Sequence, residues 1–283
     1  YRKELFNYYL ENTSINKKQY QIVIMAAGKG ERMNLNYPKP LLEIDYPNGQ
    51  KSIIINLLNV IEKAISNIVS INIVINSLDK HYFEQIEGLN KKINLIELHP
   101  EQIQGTAVCL DAIKNDLALE YDTILLWGDL ALIPSSYIFF STILYEKFNP
   151  LIAMPTRYKK NPYVGFLRDS EGKYSEVFHS NEGKPYSGWA EQDCLCFILD
   201  SEVYPLLSDF IANKKLQDRK EIDFVKFIPF CNTKSNNVIG FPFCEYKCVS
   251  GINNQKKVDI IEDYLKDFSQ KEYKNKFLNQ YYF

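Results

Sequence analysis

The sequence predicts an α/β protein built on a Rossmann-like, mostly parallel sheet flanked by helices. Three observations carry this prediction. Short, continuously apolar runs alternate with segments of helical periodicity through the first half of the chain. The connections between them are short, which is typical of a parallel sheet with helices on both faces. The 283 residues, 46% of them apolar and 24% charged, suffice for a sizeable core.

The first half of the chain supplies the predicted parallel strands. Residues 21–26 (QIVIMA) form a continuous apolar run, as expected for a strand buried on both faces. Residues 52–65 carry apolar side chains at helical spacing, and a predicted helix over 106–117 begins directly behind Gly105. The remaining predicted elements here are strands over 71–75, 93–98 and 123–127 and a helix over 80–86.

The second half is richer in predicted strands. Turn residues, for example at 169–172, separate short apolar runs, so we expect these strands to extend the same sheet as a β-rich extension. The predicted strands are 151–155, 164–168, 174–179 and 195–200, and the predicted helices are 201–212, 218–227 and 258–268.

The domain organisation follows from these patterns. Residues 1–20 are interpreted as a helix (2–12) and a linker, and residues 21–269 as one domain with two halves, 21–150 and 151–269. Residues 270–283 form a tail that mixes lysines with aromatic residues. The chain begins at Tyr1 without a methionine, so we expect it to be part of a longer polypeptide.

Composition excludes several classes of protein. The net charge of −2 argues against a nucleic-acid-binding protein, which normally carries a surplus of basic residues. No apolar run approaches the length of a membrane helix, and no signal peptide is recognisable. The six cysteines fit no zinc-binding spacing and are interpreted as free thiols of a cytoplasmic protein.

The most informative segment is the loop after the first predicted strand, MAAGKGERM (25–33), which is followed by PKPLL (38–42). Glycines let the backbone approach a ligand closely, and consecutive amides can hold a phosphate. The loop is no dinucleotide fingerprint, because Met33 stands in the third glycine position, and no P-loop motif is present. It carries the cations Lys29, Arg32 and Lys39, which could bind phosphate. A glycine-rich turn with solvated lysines is the alternative.

AAGKGERM with PKPLLE resembles the signature loop of the sugar-1-phosphate nucleotidyltransferases, particularly the N-acetylglucosamine-1-phosphate uridylyltransferases. The resemblance implies that this loop wraps a nucleoside triphosphate. Arg32 would then hold the β- and γ-phosphates, and Lys39 would bridge the α-phosphate and the incoming sugar phosphate. The loop residues implied to contact the nucleotide are Ala26, Ala27, Gly28, Lys29 and Gly30.

Residues 104–113 (QGTAVCLDAI) resemble the segment of this family that recognises the base. Gly105 would let the base lie against the backbone, and Thr106 would add a hydroxyl. A glutamine just upstream reads the pyrimidine edge in this family, and Gln102 and Gln104 both remain candidates. An ordinary helix start with Thr106 near the N-cap is the alternative interpretation.

Two further segments resemble the metal site of the family. Asp129 in LLWGDLALI (125–133) follows a predicted strand, and ligands of parallel sheets bind where strands end. Asn253 in VSGIN (249–253) matches the late G-V-N motif. The resemblance implies that Asp129 and Asn253 together bind Mg²⁺, a cation that prefers oxygen ligands. An Asp that caps a turn is the alternative at 129.

The resemblance implies that residues 21–150 are a nucleotide-binding half and residues 151–269 a β-rich, sugar-binding half, but this second half departs from the family pattern. Gly165 matches a glycine whose backbone contacts the sugar, His179 stands where the family has glutamate, and Asp193 stands where it has asparagine. Asp193 could accept hydrogen bonds from sugar hydroxyls but not donate them. These changes put N-acetylglucosamine in doubt as the sugar. Glu221 and Asp223 are interpreted as structural residues.

The resemblance implies Mg²⁺-assisted transfer of a nucleotidyl group from UTP to a sugar 1-phosphate, with N-acetylglucosamine 1-phosphate as one candidate, and release of pyrophosphate. Two alternatives remain open. One is a cytidylyltransferase, or an enzyme using another nucleotide, that acts on a different sugar or alcohol phosphate. The other is a catalytically silent domain that binds nucleotide in a regulatory role, against which the presence of Arg32, Lys39, Asp129 and Asn253 argues.

Overall fold

A single large sheet runs through the described part of the chain. The computed structural model describes residues 18–28, 30, 33–84, 93–180, 186–215, 221–235, 237–242, 250–252 and 254–272. In chain order the strands are β1 (Tyr20–Met25), β2 (Glu43–Tyr46), β3 (Gly49–Ser52), β4 (Ile68–Asn76), β5 (Ile93–Leu98), β6 (Asp122–Trp127), β7 (Leu130–Leu132), β8 (Ile152–Lys160), β9 (Val164–Arg168), β10 (Tyr174–His179), β11 (Trp189–Asp193), β12 (Cys196–Leu199), β13 (Val238–Phe241) and β14 (Ser250–Gly251). The helices are α1 (Ile53–Ala64), α2 (Lys80–Glu84), α3 (Thr106–Ala112), α4 (Ser135–Phe148), α5 (Val203–Lys215), α6 (Phe227–Ser235) and α7 (Gln255–Glu272).

The centre of the sheet is parallel. Its strand order is β10-β9-β11-β8-β12-β6-β1-β4-β5, and β1 pairs in parallel with both β4 and β6. The chain passes from β1 outward through β4 to β5 and then returns to place β6 on the other side of β1. The direction of winding therefore reverses between β1 and β6, and ligands of such sheets bind at the carboxyl ends of the strands at this point.

Alternating side chains of β1 show why the sheet is covered on both faces. Val23 and Met25 pack into one apolar cluster with helices α3, α5 and α6, whereas Ile22 and Ile24 pack into a second cluster with α1 and α4. Every residue of β1 is buried. A continuous apolar run is what a strand with two covered faces requires, so the predicted α/β fold class is confirmed.

The second half extends this sheet through antiparallel strands. Strand β12 lies between β6 and β8 and is antiparallel to both, and β8, β11, β9 and β10 continue the sheet outward. Strand β13 pairs in parallel with β8. The predicted β-rich extension is thus part of the sheet itself.

A buried charged network holds the extension together. The Glu191 carboxylate, 2% exposed, accepts hydrogen bonds from Arg168 (2.7 and 3.0 Å), from the Tyr174 hydroxyl (2.7 Å) and from the Thr156 hydroxyl (2.6 Å). The Arg168 guanidinium also lies 3.9 Å from the centroid of the Tyr174 ring. Burial acts to raise the pKa of Glu191, but hydrogen bonds from Arg168, Thr156 and Tyr174 outweigh it and hold the pKa below its usual value.

A third, smaller cluster packs beside the sheet. The hairpin of β2 and β3, strand β7 and helix α7 meet there, with Ile44, Leu132 and Ile261 buried between them. Strand β7 pairs with β14 in a short antiparallel ladder. The residues around 251 therefore lie next to the end of β6.

Several elements differ from the predictions. The predicted helix over 218–227 is wrong at residues 221–223, which are not helical: the Ile222 backbone makes hydrogen bonds to the 104–107 segment, and Asp223 is extended. A 3-10 helix follows over Phe224–Lys226, and the α-helix begins at Phe227. Helix α4 was not predicted, since it buries side chains around most of its circumference and lacks a single apolar stripe. The predicted helix over 2–12 and residues 273–283 of the tail lie outside the described residues.

None of the helices in the described ranges is both long enough and apolar enough to cross a membrane. The described cysteines are buried and form no disulfide with one another, as expected; they are Cys109, Cys194, Cys196 and Cys231.

Candidate active site

A cleft of about 520 Å³ opens at the carboxyl ends of β1 and β6. It lies where the winding of the sheet reverses, as the parallel topology requires. The loop after β1, the start of α3 and the end of β6 all contribute to its walls. The described lining residues are Met25, Ala26, Ala27, Gly28, Gly30, Met33, Lys39, Pro40, Ile103, Gly105, Thr106, Cys109, Trp127, Asp129, Glu221 and Asp223.

The glycine loop forms one wall of this cleft. The Ala26 amide donates to the Val74 carbonyl (2.8 Å), so β1 keeps its pairing up to the point where the loop begins. Gly28 and Gly30 then line the cleft, and Gly30 has a φ of 61°. Of the predicted loop residues, Lys29 and Arg32 lie outside the described residues, so their predicted contacts with phosphate stay predictions.

Lys39 and Asp129 meet at one end of the cleft. Lys39 starts a short 3-10 turn (Lys39–Leu41) behind Pro38, and its Nζ lies 2.5 Å from Oδ2 of Asp129. The second carboxylate oxygen, Oδ1, is buried and accepts no hydrogen bond within the described part of the chain. A buried carboxylate oxygen without a partner is costly unless a ligand completes it, so this oxygen is available to a ligand.

The chain around residue 251 is packed directly against Asp129. The Ile252 amide donates to the Asp129 carbonyl (3.2 Å), and β14 pairs with β7, which follows Asp129. A Cβ atom on Gly251 would lie 3.2 Å from each Asp129 carboxylate oxygen. Residue 251 therefore has little room for a side chain. Asn253 itself lies outside the described residues, although its neighbours on both sides are described.

These groups fit a magnesium ion. Among the described residues no group of three or more His, Cys, Asp or Glu side chains could enclose a metal. Mg²⁺ does not need such a cage, because it is commonly held by one or two protein oxygens together with substrate phosphates. The unpartnered Oδ1 of Asp129 is a ligand of the required kind. The donor set therefore suits Mg²⁺ bound together with a nucleotide.

Gly105 at the other end of the cleft makes a close backbone contact. Its φ is 102°, and a Cβ atom there would come within 2.5 Å of the Ile222 backbone nitrogen and oxygen. Backbone hydrogen bonds join the same segments, from Ile222 to Gln104 (2.9 Å) and from Ala107 to Ile222 (3.0 Å). The Thr106 hydroxyl accepts a hydrogen bond from the Phe224 amide (2.8 Å). Thr106 thus has a structural partner besides its place on the cleft wall.

The two candidate glutamines have intramolecular partners. The Gln102 side-chain Oε1 accepts from the His99 backbone amide (2.9 Å), and the Gln104 side-chain amide donates to the Glu101 backbone carbonyl (2.8 Å). Neither belongs to the described lining of the cleft. The predicted roles of Gln102 and Gln104 in reading the base therefore stay predictions.

Two carboxylates that the sequence analysis interpreted as structural line this end of the cleft instead. Ile222 is buried in the core, and Glu221 and Asp223 on either side of it line the cleft. The Cys109 thiol lines the same region, and burial, followed by the nearby Glu221 charge, raises its pKa to about 12. The alternation of Glu221, Ile222 and Asp223 was the signal that could have placed them.

The predicted sugar-binding residues are not gathered in the described cleft. The ring of Phe178 covers the space beside Gly165, at 2.1 Å from the position of a Cβ atom there. His179 packs edge-on against Tyr163, with ring centroids 4.5 Å apart. Asp193 is 3% exposed, and burial raises its pKa. Gly165, His179 and Asp193 are absent from the described cleft lining, so their roles toward a sugar stay predictions.

Comparison with known proteins gives matches over most of the chain. Residues 20–127 match the sequence model of the family described as IspD, 2-C-methyl-D-erythritol 4-phosphate cytidylyltransferase. The bifunctional protein GlmU of Buchnera aphidicola subsp. Schizaphis graminum is 26% identical over 255 residues, covering 87% of this chain and 51% of that protein. The chain thus spans about half the length of the curated relatives it matches.

Solved structures show the same fold. A protein from Bacillus anthracis, assigned as a glucose-1-phosphate thymidylyltransferase, superposes with a TM-score of 0.68 at 14% identity, over 88% of this chain and 96% of that one. The 4-diphosphocytidyl-2C-methyl-D-erythritol synthase of Anaerococcus prevotii superposes with a TM-score of 0.60 at 13% identity, over the same shares. The chain thus has the fold of these nucleotidyltransferases, and the matches, with the glycine loop, Lys39 and Asp129 assembled at one cleft, support the sugar-1-phosphate nucleotidyltransferase family that its motifs resemble.

Proposed function

We propose that the protein transfers a nucleotidyl group from a nucleoside triphosphate, UTP in the first instance, to a sugar 1-phosphate, and releases pyrophosphate. The observation that carries this proposal is the meeting of Lys39 and Asp129 in the same cleft as the glycine loop. This reaction needs a cation that binds phosphate, a carboxylate that binds a metal and a stretch of backbone that a ligand can approach closely.

The proposed reaction is an in-line displacement at the α-phosphorus. An oxygen of the acceptor phosphate forms a bond to the α-phosphorus, and the bond from that phosphorus to the oxygen of the leaving pyrophosphate breaks. The attacking phosphate is already an anion at neutral pH, so no general base has to remove a proton. The protein's task is therefore to position two anions and to offset their charge.

Lys39 has the central position among the described residues. In the described state its ammonium group pairs with Asp129. A bound triphosphate would compete for the same ammonium group, which would then lie between the α-phosphate and the acceptor phosphate. From the resemblance we assign the β- and γ-phosphates to Arg32, with Lys29 as a further cation.

Asp129 and Asn253 are proposed to hold Mg²⁺, which when bound would offset phosphate charge and polarise the phosphoryl oxygens. The Asp129 carboxylate is well prepared for this role, because the end of β6 and the backbone at 251–252 fix its position. Rigid placement of a charged ligand reduces the reorganisation needed in the transition state.

CTP with an alcohol phosphate is the second candidate pair of substrates. It is favoured by one observation, the match of residues 20–127 to a cytidylyltransferase family. That match covers only the nucleotide-binding half of the chain, and the longer similarity extends to GlmU, so we place UTP first.

A matrix of substrates tests the proposal. The protein is incubated with Mg²⁺ and each of UTP, CTP, dTTP and GTP against glucose 1-phosphate, N-acetylglucosamine 1-phosphate and 2-C-methylerythritol 4-phosphate, and released pyrophosphate is measured. We expect turnover with UTP and a sugar 1-phosphate. Turnover restricted to CTP and methylerythritol phosphate would establish the second candidate. Nucleotide binding in a calorimeter without turnover on any acceptor would overturn both and indicate a silent binding domain.

A further inference from the structure

A buried tyrosine is bonded to the short strand that follows Asp129. The Tyr46 hydroxyl, at the end of β2, donates a hydrogen bond to the Ala131 carbonyl (3.0 Å), and both residues are buried in the third apolar cluster. The buried side chain of Asn56, on α1, also hydrogen-bonds to this hydroxyl. Because the hydroxyl gives its one proton to Ala131, Asn56 is the donor of the second bond. Two bonds thus fix the orientation of the Tyr46 hydroxyl.

Ala131 lies two residues beyond Asp129, on a strand of three residues. The outer residues of this strand, Leu130 and Leu132, pair with β14. Ala131 lies between these pairs, and its amide donates to the Asp129 carbonyl (3.0 Å). The bond from Tyr46 therefore fixes the Ala131 carbonyl and, with it, the backbone that leads out of Asp129.

The hairpin that carries Tyr46 leads directly from Lys39. The Leu42 amide donates to the Lys39 carbonyl (3.1 Å), and β2 begins at the next residue. Tyr46 follows Lys39 by seven residues. Its hydrogen bond to β7 therefore ties the segment that carries Lys39 to the segment that carries Asp129, as the ion pair between those two residues also does.

The two ties differ in how a substrate affects them. The ion pair of Lys39 and Asp129 lies on the wall of the cleft, so phosphate oxygens can compete for the ammonium group and a metal for the carboxylate. The bond from Tyr46 to Ala131 is buried, and neither residue belongs to the described lining of the cleft. This bond therefore remains when the ion pair opens, and it keeps the two segments at their spacing when the reaction needs it.

We infer that Tyr46 is a positioning residue for the reaction: its hydroxyl holds the Asp129 carboxylate in place relative to Lys39 once nucleotide and metal have replaced the ion pair. This inference rests on the proposed function. A metal ligand whose backbone can shift binds the cation less tightly, and a misplacement of about 1 Å can lower a rate by about 10². The effect of Tyr46 passes through the backbone of β7 and involves no contact with substrate.

Tyr46→Phe tests the inference, because it keeps the ring in the apolar cluster and removes the hydroxyl. With the preferred nucleotide and acceptor, we expect kcat to fall about tenfold while KM for the acceptor changes by less than about twofold. Binding of the same nucleotide without acceptor is a readout that needs no turnover. With Mn²⁺ in place of Mg²⁺, water-proton relaxation should show binding of the metal–nucleotide complex about tenfold weaker than in wild type. Calorimetric binding of the nucleotide in EDTA should be unchanged.

Tyr204→Phe is the matched control. Tyr204 is also buried, and its hydroxyl shares a hydrogen bond of 2.7 Å with the Thr123 hydroxyl near the start of β6, away from the cleft. This variant should lose about as much thermal stability as Tyr46→Phe and keep the wild-type kcat and metal–nucleotide affinity. If circular dichroism shows that Tyr46→Phe does not fold, Asn56→Leu replaces it. That substitution removes the second bond to the hydroxyl while the tyrosine stays, and kcat and metal–nucleotide affinity should fall in the same way.

Two results would overturn the inference alone: a folded variant with the wild-type kcat and metal–nucleotide affinity, or equal losses of both in Tyr204→Phe. Absence of nucleotidyl transfer by the wild type, with every nucleotide and acceptor, would instead overturn the proposed function. The binding comparison needs no acceptor and no turnover, so the two failures are distinguishable.

Discussion

The Lys39 ammonium and the Asp129 carboxylate are 90 residues apart in the chain and 2.5 Å apart in space. The first follows the glycine loop and the second follows β6, so this ion pair joins the two loops at the point where the winding of the sheet reverses. Because only one Asp129 oxygen is used, the pair leaves a buried carboxylate oxygen for a ligand. The first two predictions separate the roles of its members.

Replacement of Asp129 by asparagine should lower the turnover number by on the order of 10²–10³, comparable to the loss of one preorganised electrostatic group. The amide keeps the shape of the carboxylate but removes its charge. Pyrophosphate release measures the effect, and a circular dichroism melt checks the fold. Asp122→Asn is the control, because Asp122 begins the same strand and pairs with Lys18 away from the cleft. An Asp129→Asn variant with wild-type turnover would remove the metal assignment.

Lys39→Met should lower turnover to a similar extent, on the order of 10²–10³, since the side chain keeps its length and loses the charge that offsets the phosphates. Initial rates over a range of nucleotide and acceptor concentrations distinguish a defect in binding from one in kcat. Lys51→Met, in the hairpin strand β3, serves as the control. If Lys39→Met and Lys51→Met are equally active, Lys39 has no role in the reaction.

Gly105→Ala should destabilise the protein by about 2–4 kcal/mol, because the added methyl group meets the Ile222 backbone as well as an unfavourable φ. Gly49→Ala is a close match, with a φ of 108° against 102° and no atom within 4 Å of the added methyl group. It should cost about 1–2 kcal/mol from backbone conformation alone. Urea unfolding of both variants measures the difference, and equal losses would contradict the close Gly105–Ile222 contact.

The Glu191 network predicts a stability that depends on pH. Because the folded-state pKa of Glu191 is depressed, its contribution is complete above the ordinary glutamate value of about 4.3 and is lost as the pH falls through the folded-state pKa. Glu191→Gln should lower the free energy of unfolding by about 2–4 kcal/mol at neutral pH. This is somewhat less than the loss on breaking a fully buried ion pair, because the Arg168 side chain is 31% exposed.

Urea unfolding between pH 3 and pH 7 measures this dependence. The difference in unfolding free energy between wild type and Glu191→Gln should shrink as the pH falls, whereas the exposed Glu176→Gln should follow the wild-type curve. A difference that stays constant across this pH range would show that the Glu191 charge does not contribute to stability. The buried Asp193 carboxyl has its pKa shifted in the opposite direction, and it cancels because both proteins retain it.

Strands and helices with a simple pattern were predictable. Strand β1 and helix α1 lie within a residue or two of the expected bounds. A strand buried on both faces is continuously apolar, and a helix buried along one stripe has apolar residues at helical spacing. Strand β11 has neither pattern. Its sequence is polar, and Glu191 is buried there only because Arg168, Tyr174 and Thr156 arrive from three other strands.

The residues of the candidate site divide in the same way. Motif order alone indicated a glycine loop, a lysine and an aspartate at one sheet edge, because parallel strands bring their carboxyl ends together wherever the intervening helices lie. That Glu221 and Asp223 line the cleft, that the two glutamines have internal partners and that Tyr46 bonds to Ala131 depended on how separate segments pack. Local sequence determines which side chains of a strand or helix are buried. Contacts between distant segments form only when the whole chain folds, because the fold has to pair nearly all of its buried polar groups at once.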